Sequence, residues 1–522
     1  MKISILDCTL RDGGYVNDFN FGIKRINKVR EKLQDANIEI IECGFLQSGK
    51  NDPEKTLYGN VESINVPEKQ NSQMYVAMIA IGDITADEIA PYRPGYIDGI
   101  RISFHNGSKE WDDAKLLAKD VMAKGYKVFI QPIGTAFYSD SELLSLIEDV
   151  NELDPFAFYI VDTLGSMYKN DLLRLFFLVD HNLNNNICIG FHSHNNMQLS
   201  FANAMTLLEL HTDRHVILDS SVFGMGRGAG NLNTELITHF INKNLEKRYD
   251  LVPILELIDD VILPIYKYAS WGFSEPYYLS AIMGVHPNYA SYLIEKQSVS
   301  MAKIFDLLGK LPKSDKHIFL KNEIDNLYYD EMVNDVEDSV AIRELSDTIR
   351  DRNVLVIAPG MSVKTQKETI KNCIRKEQPF VISLNFIPDG ISPDLVFVGN
   401  RKRFEQLGQH KYPVAVTSNI STNGKTGTYV IDYDSLIEGN SDSSGMMVLR
   451  FLIRLGVENV MLAGYDGFTT EGNHYNEVMD SYLLPETVMS LNNSTRKHLR
   501  EINKAMSLKF VTSSVYEGEL DD

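Results

Sequence analysis

The chain has 522 residues, of which 44% are hydrophobic and 23% charged, a composition typical of soluble globular proteins. It is too long for one ordinary domain, so we expect two or three. The formal net charge of −20 argues against nucleic acid and anionic membrane as main partners, because proteins that bind them carry basic surfaces. No apolar run reaches about 18 residues, so the sequence predicts no membrane span.

The cysteines indicate a reducing compartment. Cys8, Cys43, Cys188 and Cys373 lie far apart and form no CxxC pair, which is typical of buried free thiols. The N-terminal residues reach Asp7 and Arg11 before the apolar part of a signal peptide could form. We therefore expect a cytoplasmic protein.

Short β-branched runs alternate with helix-period segments from residue 1 to about 245. The predicted strands are Ile3–Leu6, Ile38–Cys43, Met74–Ile81, Gly99–Phe104, Lys127–Gln131, Phe156–Val161, Ile187–Phe191 and Val216–Val222. The predicted helices are Phe21–Leu33, Asp112–Lys124, Ser141–Val150, Asp171–Val179 and Met197–Leu210. Strands that alternate with helices predict parallel pairing and right-handed crossovers, and eight of them in roughly 250 residues favour a closed (β/α)8 TIM barrel. An open doubly wound sheet is the alternative.

Polar residues at the carboxyl ends of the predicted strands favour the barrel. They are Arg11, Asp12, Glu42, His105, Gln131, Asp162, Thr163, His192, His194 and Asn231. Barrel enzymes place their chemistry at this rim.

The pattern becomes helical from about residue 250 to 340. The predicted helices are Leu251–Tyr268, Tyr277–Met283, Tyr289–Glu295 and Ser300–Leu308. Pro276 and Pro287 are interpreted as helix breakers, and the acidic stretch Asp325–Asp338 as a connector.

A second α/β unit begins near Arg352. Its predicted strands are Asn353–Ala358, Phe380–Leu384, Leu395–Val398 and Val460–Ala463, and its predicted helix is Gly445–Leu455. The sequence therefore predicts a barrel over residues 1–250, a helical extension and connector over 251–345, and a Rossmann-like α/β domain over 346–522. The acidic terminus Tyr516–Asp522 is expected to be frayed.

Four side chains of the barrel form a candidate metal site. His192 and His194 are two residues apart on one strand and therefore present both imidazoles to the same side. Asp12 follows the first strand and Asn231 follows the eighth. In a closed barrel strands seven, eight and one are consecutive neighbours, and the seventh carries the histidines, so these side chains are expected to converge. Two imidazoles with carboxylate and amide oxygens suit Mn, Mg, Co or Zn with open coordination positions.

Three segments resemble a known superfamily. Leu10-Arg11-Asp12-Gly13, His192-Ser193-His194-Asn195-Asn196 and Gly230-Asn231-Leu232-Asn233-Thr234-Glu235 are similar to the signature elements of the metal-dependent barrel lyases and synthases. That superfamily includes 4-hydroxy-2-oxovalerate aldolase, 3-hydroxy-3-methylglutaryl-CoA lyase, and isopropylmalate and homocitrate synthases. The resemblance implies that Asp12, His192, His194 and Asn231 are metal ligands and that Arg11 stabilises an enolate.

The general base is where the sequence departs from the superfamily. The turn after Asp12 carries Tyr15, whereas the aldolases have a histidine and the acyl-CoA synthases a Glu-Gln pair. An unperturbed tyrosine titrates near ~10, so Tyr15 is expected to donate a hydrogen bond while another group moves the proton. His105 is the candidate base, with an ordinary rim histidine as the alternative, and His286 in the helical extension is a second candidate.

Three residues are assigned to substrate binding: Thr163, Glu42 and His286. Thr163 is placed to bind the substrate carboxylate, with packing or capping as the alternative, and Glu42 also lies at the rim. The glycine-rich loop Gly224–Gly230 is not interpreted as a dinucleotide fingerprint, because no βα unit with an acidic ribose ligand follows it.

The C-terminal domain carries a second set of candidate residues. Asn353–Ser362 is predicted to form a strand, a tight turn and the start of a helix, an arrangement that can bind a phosphate. A plain βα turn is the alternative. The pattern between Asn353 and Gly467 resembles bacterial sialyltransferase-type domains, and it implies nucleotide-sugar or sugar-phosphate binding. The candidate residues are Gly360, Ser362, Asn385, Asn400 and Asp466, with His474-Tyr475 near an acceptor.

The leading hypothesis is a divalent-metal aldolase or lyase. It would act on a pyruvate-like 2-oxo acid and a short or sugar-derived aldehyde, in surface-polysaccharide or keto-sugar biosynthesis, as a homo-oligomer. One alternative is an acyl-CoA Claisen synthase, and another is a binding module with a degenerate barrel.

Overall fold

The computed structural model describes residues 2–68, 73–105, 108–210, 212–296, 299–312, 316, 318–333, 336–408, 411–422, 427–438, 443–470, 474–475 and 485–518. These residues divide into two units, 1–291 and 292–522. The division falls within the predicted helical extension. Among the helices described, none is both long and apolar enough to cross a lipid bilayer.

The first unit is a TIM barrel. Its strands are β1 (Lys2–Asp7), β2 (Ile40–Leu46), β3 (Leu57–Tyr58), β4 (Met74–Ala80), β5 (Gly99–Phe104), β6 (Lys127–Pro132), β7 (Ala157–Asp162), β8 (Cys188–Ser193) and β9 (His215–Ser220). Eight of these pair in parallel in the order β1-β9-β8-β7-β6-β5-β4-β2, and β1 also pairs with β2, so the sheet closes. The two-residue strand β3 lies outside the ring beside β2. The predicted fold class is confirmed.

Helices cover the outside of the barrel. They are α1 (Ile23–Asp35), α2 (Ser108–Ala123), α3 (Asp140–Leu153), α4 (Lys169–Asn182), α5 (Ser200–Leu208) and α6 (Thr234–Asn244). Short 3-10 turns lie at Gly13–Val16, Val61–Ser63, Ala86–Glu88, Thr135–Phe137 and Val222–Gly224. The described part of the connection after β2 contains β3 and a 3-10 turn, and the connection after β4 contains only a 3-10 turn, so these two differ from a regular βα repeat.

The region after the barrel is helical, as predicted. It contains α7 (Val252–Leu257), a π-helical turn (Ile258–Ile262), α8 (Leu263–Tyr266), α9 (Glu275–Met283) and α10 (Pro287–Glu295). The interpretation of Pro276 and Pro287 as breakers is wrong, because each proline lies in the first turn of a helix. A first-turn residue needs no backbone N–H, so proline fits there.

The second unit begins with three helices, α11 (Met301–Lys310), α12 (Lys321–Met332) and α13 (Ser339–Ile349). The prediction of a connector over Asp325–Asp338 is therefore wrong for most of its length. Ile324, Tyr328 and Met332 are buried at helical spacing in α12. These residues form an apolar face of the helix, which is hard to recognise in the sequence because many acidic residues lie between them.

A parallel sheet follows, as predicted, in the order β14-β13-β12-β11-β10-β15-β16. Its strands are β10 (Val354–Ile357), β11 (Phe380–Leu384), β12 (Leu395–Val398), β13 (Val414–Thr417), β14 (Thr428–Ile431), β15 (Asn459–Ala463) and β16 (Ser507–Phe510). Its helices are α14 (Ser362–Thr365), α15 (Lys367–Glu377), α16 (Arg401–Gln406), α17 (Ser444–Arg454) and α18 (Pro485–Ala505), with a 3-10 turn at Asp434–Leu436.

The C-terminal segment is less frayed than expected. Tyr516 is buried, and its hydroxyl donates to Asn492 Oδ1 at 2.6 Å. Residues 519–522 lie outside the described part of the chain.

Candidate metal and active site

The barrel gathers three potential metal ligands at the carboxyl ends of its strands. The ligand atoms of Asp12, His192 and His194 all lie within 4.8 Å of one another. His192 is the penultimate residue of β8, and Asp12 lies in the turn after β1. Because β9 alone separates these two strands in the ring, side chains from both can reach one point above it.

Asn231 completes the cluster. It forms an isolated bridge with His194, and its Nδ2 donates to Asp12 Oδ2 at 2.6 Å. The loop after β9 therefore places the amide beside the carboxylate. Gly226 in this loop has to be a glycine, since a Cβ there would overlap the Asn231 amide and lie 2.7 Å from Asp12 Oδ2.

The donor set fits a divalent cation. His194 Nδ1 and Asn231 Oδ1 are buried and have no hydrogen-bond partner among the described residues. Buried polar atoms are normally paired, so two orphaned acceptors in one cluster point to a ligand. The carboxylate, imidazole and amide donors match those that bind Mn, Mg, Co or Zn.

The protonation states also suit metal binding. Burial lowers the pKa of His194 to about 4, so its ring is neutral at pH 7, the form that coordinates metals. Burial alone would raise the pKa of Asp12, but Arg11 and the two imidazoles outweigh it and hold that pKa well below the usual range of a carboxyl.

A chain of buried ion pairs connects the candidate ligands with neighbouring charged residues. Arg11 donates from Nη1 to Asp12 Oδ1 at 2.7 Å and from Nε to Glu42 Oε2 at 2.9 Å. The same Glu42 oxygen lies 2.8 Å from Arg101 Nη1, and Arg101 Nη2 pairs with Asp219. Asp219 Oδ2 in turn lies 3.0 Å from His192 Nδ1. The network thus runs from one candidate ligand, Asp12, to another, His192.

Sequence reasoning missed Arg101 and Asp219. Both side chains are buried, and each lies within a short strand whose other residues are mostly apolar. The presence of a charged residue within a mostly apolar strand is the signal from which each could have been found. The pairing could not be predicted from the sequence, because Arg101 and Asp219 are 118 residues apart.

Glu42 is more deeply buried than is typical of a residue that contacts a substrate. Its side chain is fully buried between the guanidinium groups of Arg11 and Arg101. The geometry suits a role in holding Arg11.

The remaining predicted residues of the barrel lie around the rim. The ring of half-exposed Tyr15 lies 5.8 Å from the guanidinium carbon of Arg227, and Arg227 Nη2 lies 2.9 Å from His286 Nε2. The His105 side chain is 55% exposed, and its Nδ1 lies 3.3 Å from Glu110 Oε2. Thr163 Oγ1 accepts from the Gly134 backbone at 2.8 Å. None of the contacts described for Tyr15, His105, Thr163 or His286 is a hydrogen bond to the Asp12 cluster.

The titration of two rim groups limits their chemistry. Desolvation of its hydroxyl raises the pKa of Tyr15, so this group is a donor rather than a base at neutral pH. Burial and the charge of Arg227 lower the pKa of His286 to about 4, which makes its imidazole a weak base.

In the second unit, four of the five predicted residues line one cavity. They are Gly360, Asn385, Asn400 and Asp466, and His474 lines it as well. Ser362 donates to Asp466 from its backbone N–H, at 2.7 Å, and from its hydroxyl. Tyr475 Oη accepts from the Asp389 backbone at 2.9 Å.

Comparison with known proteins relates the barrel to lyases and decarboxylases. Residues 103–261 match the HMGL-like family model. The 4-hydroxy-2-oxovalerate aldolase of Pseudoalteromonas translucida is 25% identical over 275 residues, which cover 51% of this chain and 77% of that protein. The oxaloacetate decarboxylase of Mycobacterium tuberculosis is 24% identical over 238 residues, covering 45% and 68% respectively.

Among solved structures, the N-terminal domain of a putative aldolase from Bacteroides vulgatus aligns with 58% of this chain and 99% of its own. The two are 25% identical, with a TM-score of 0.49. The carboxyl transferase domain of Rhizobium etli pyruvate carboxylase, solved with pyruvate and biocytin, is 12% identical with a TM-score of 0.49, covering 66% and 65% of the two chains.

Proposed function

We propose that this HMGL-like barrel, a distant relative of the 4-hydroxy-2-oxovalerate aldolases, is a divalent-metal-dependent aldolase. In the proposed reaction it breaks or forms the bond between C3 of a pyruvate-type 2-oxo acid and the carbonyl carbon of a short or sugar-derived aldehyde. The observation that carries the proposal is the buried cluster of Asp12, His192, His194 and Asn231, with a guanidinium group held beside it.

The cation would be held by these four side chains. When bound, it would supply Lewis acidity that polarises the keto group of a chelating 2-oxo acid. The chain itself supplies the rest of the chemistry.

Arg11 is the proposed stabiliser of the enolate oxygen. Its Nε and Nη1 are fixed by Glu42 and Asp12, whereas its buried Nη2 has no partner among the described residues. This leaves one donor held in a set direction beside the ligand cluster. A donor held in place before negative charge develops on an oxygen lowers the barrier, because the protein need not reorganise.

In the cleavage direction the reaction needs a base for the hydroxyl proton at C4. Loss of that proton converts C4 to the leaving aldehyde, the electrons of the C3–C4 bond pass into the enolate, and a proton added at C3 completes the 2-oxo acid. We assign the proton transfer to His105 at the rim and hydrogen-bond donation to Tyr15. Thr163 remains the proposed carboxylate contact.

The test combines metal analysis with a pyruvate-release screen over 4-hydroxy-2-oxo acids, including sugar-derived ones. We expect Asp12→Asn and His192→Ala to lose bound metal and turnover while remaining folded, whereas Arg11→Lys keeps the metal and loses about 10²–10³-fold in kcat. The exposed residues Asp259 and His239 provide matched controls, as Asp259→Asn and His239→Ala.

Turnover that persists after chelation of the metal and in both ligand variants would contradict the proposal. Release of free CoA from an acyl-CoA and a 2-oxo acid would instead favour the Claisen synthase. Stoichiometric metal without turnover of any substrate in either assay would favour a binding module.

A further inference from the structure

The second unit contains a cavity of about 260 Å³ at the carboxyl ends of its strands. It lies beside β10 and β15, where the strand order reverses: the chain runs outward from β10 to β14 and then returns to β15 on the other side of β10. Open α/β sheets bind ligands at such a switch point. All of the cavity residues belong to the second unit, so this is a different site from the Asp12 cluster.

The walls of the cavity combine apolar and polar groups. Its apolar lining includes Pro359, Leu384, Met446, Tyr465, Phe468 and Tyr516. The polar groups come from several segments that follow different strands, among them Asn385 and Asp466 in loops and Arg403 in α16. A few convergent polar groups in a largely apolar concavity are characteristic of small-molecule sites.

One end of the cavity is positively charged. Arg403 of α16 lines it and is only 9% exposed. The first turn of α17 lies close by, since a Cβ at Gly399, just before α16, would lie 2.9 Å from Ser444 Oγ. Ser443 Oγ accepts from the Met446 N–H at the start of α17, which is 11 residues long. A buried guanidinium near the N-terminus of a helix is an environment suited to an anion.

The Gly360–Ser362 turn, by contrast, presents a carboxylate. Asp466 accepts from both the backbone N–H and the hydroxyl of Ser362, so the donors of this turn are already engaged. Gly360 allows this close approach, because a Cβ there would lie 2.6 Å from Asp466 Cγ. A phosphate at this turn would meet like charge, whereas ligand hydroxyl groups would find an acceptor.

We propose that the cavity binds a phosphorylated small molecule, with its phosphate at Arg403 and the start of α17 and its hydroxyl groups at Asp466. The apolar and aromatic walls would contact the remainder of the ligand. Nucleotides and sugar phosphates share this chemistry. Arg403 and the α17 start thus replace the Gly360–Ser362 turn as the phosphate-binding element.

Isothermal titration of the full chain tests the site. The probes are inorganic phosphate, glucose 6-phosphate and the four common nucleoside 5′-monophosphates, each compared with glucose or the matching nucleoside. We expect at least one phosphorylated organic probe to bind at least tenfold more tightly than its unphosphorylated counterpart. Preference for a nucleotide or for the sugar phosphate identifies the source of the phosphate.

Variants test the assignment of the phosphate end. Arg403→Gln is expected to weaken binding of that probe about 10–100-fold, the range for a lost charge-assisted hydrogen bond, and Arg403→Lys less. Arg401→Gln, on the same helix but outside this cavity, should leave binding unchanged, and circular dichroism melts establish that each variant folds. Absence of binding by every phosphorylated probe, an equally tight unphosphorylated counterpart, or unchanged binding by folded Arg403→Gln would each overturn the proposal.

Discussion

Asp219 lies behind the ligand cluster and orients one of its members. Its Oδ2 is the hydrogen-bond partner of His192 Nδ1, which leaves Nε2 of that ring directed away from Asp219. Burial alone would raise the pKa of Asp219, but Arg101 outweighs it and the carboxyl stays ionised. A carboxylate behind a ligating histidine sets its tautomer and its orientation.

Removing this charge should therefore weaken metal binding. We expect Asp219→Asn to raise the metal Kd about 10–100-fold, while kcat at saturating metal falls much less. Asp7→Asn is the matched control, because Asp7 is buried at the end of neighbouring β1 but contacts Thr9 and Thr234. Competition titration with a metal-sensitive dye provides the Kd, and an unchanged value in folded Asp219→Asn would show that Asp219 plays no positioning role.

At the scale of elements, the loop after β9 is as important to the site as the strands. Gly226 approaches Asp12 and Asn231 so closely that only hydrogen fits at its Cα. Its backbone does not require a positive φ, so the constraint is purely one of space.

Gly226→Ala should therefore disrupt the cluster while leaving the barrel folded. We expect loss of bound metal, measured by elemental analysis of the purified variant, and a corresponding loss of turnover. Gly13→Ala is the comparison, since its Cβ would meet only the Met225 side chain, at 3.0 Å, which can adjust. Full metal occupancy in Gly226→Ala would show that the loop can move away from Asp12 and Asn231 without loss of metal binding.

The elements themselves differ in how well local pattern predicted them. Strands β5, β11 and β12 were predicted to the residue, and the start of α17 within one residue. The four-residue strands β13, β14 and β16 were not predicted. In α12 the dense charge concealed a narrow apolar stripe.

At the scale of the whole molecule, a half-buried histidine links stability to pH. His215 Nε2 lies 2.9 Å from Ser4 Oγ, and its Nδ1 lies 3.3 Å from Cys188 Sγ, so it connects β9 to both neighbouring strands. Burial, together with the charges of Lys2, Arg248 and Lys127, lowers its pKa from 6.5 to about 4.

A lowered histidine pKa does not change stability while the ring is neutral in both the folded and the unfolded state. Below pH 6.5 the ring becomes protonated in the unfolded chain but stays neutral in the folded one, so the free energy of unfolding decreases as the pH falls from 6.5 to 4. We expect His215→Gln to reduce the fall in free energy of unfolding over this range, measured by urea denaturation. Exposed His181→Gln should keep the slope of the parent protein; an equal slope in His215→Gln would contradict the assignment.

The sequence by itself predicted the alternation of strands and helices over the first 245 residues, favoured a closed barrel over an open sheet, and identified the rim at which the polar residues gather. These follow from hydrophobic periodicity and from the rule that parallel strands end at one rim, so they need no knowledge of distant contacts. Only the tertiary structure decided that Arg101 pairs with Asp219 and Glu42, that Gly226 approaches Asp12, and that Arg403 and the start of α17 line one cavity. Each of these arrangements joins segments that are far apart in the chain, and local pattern carries no information about which buried charge faces which.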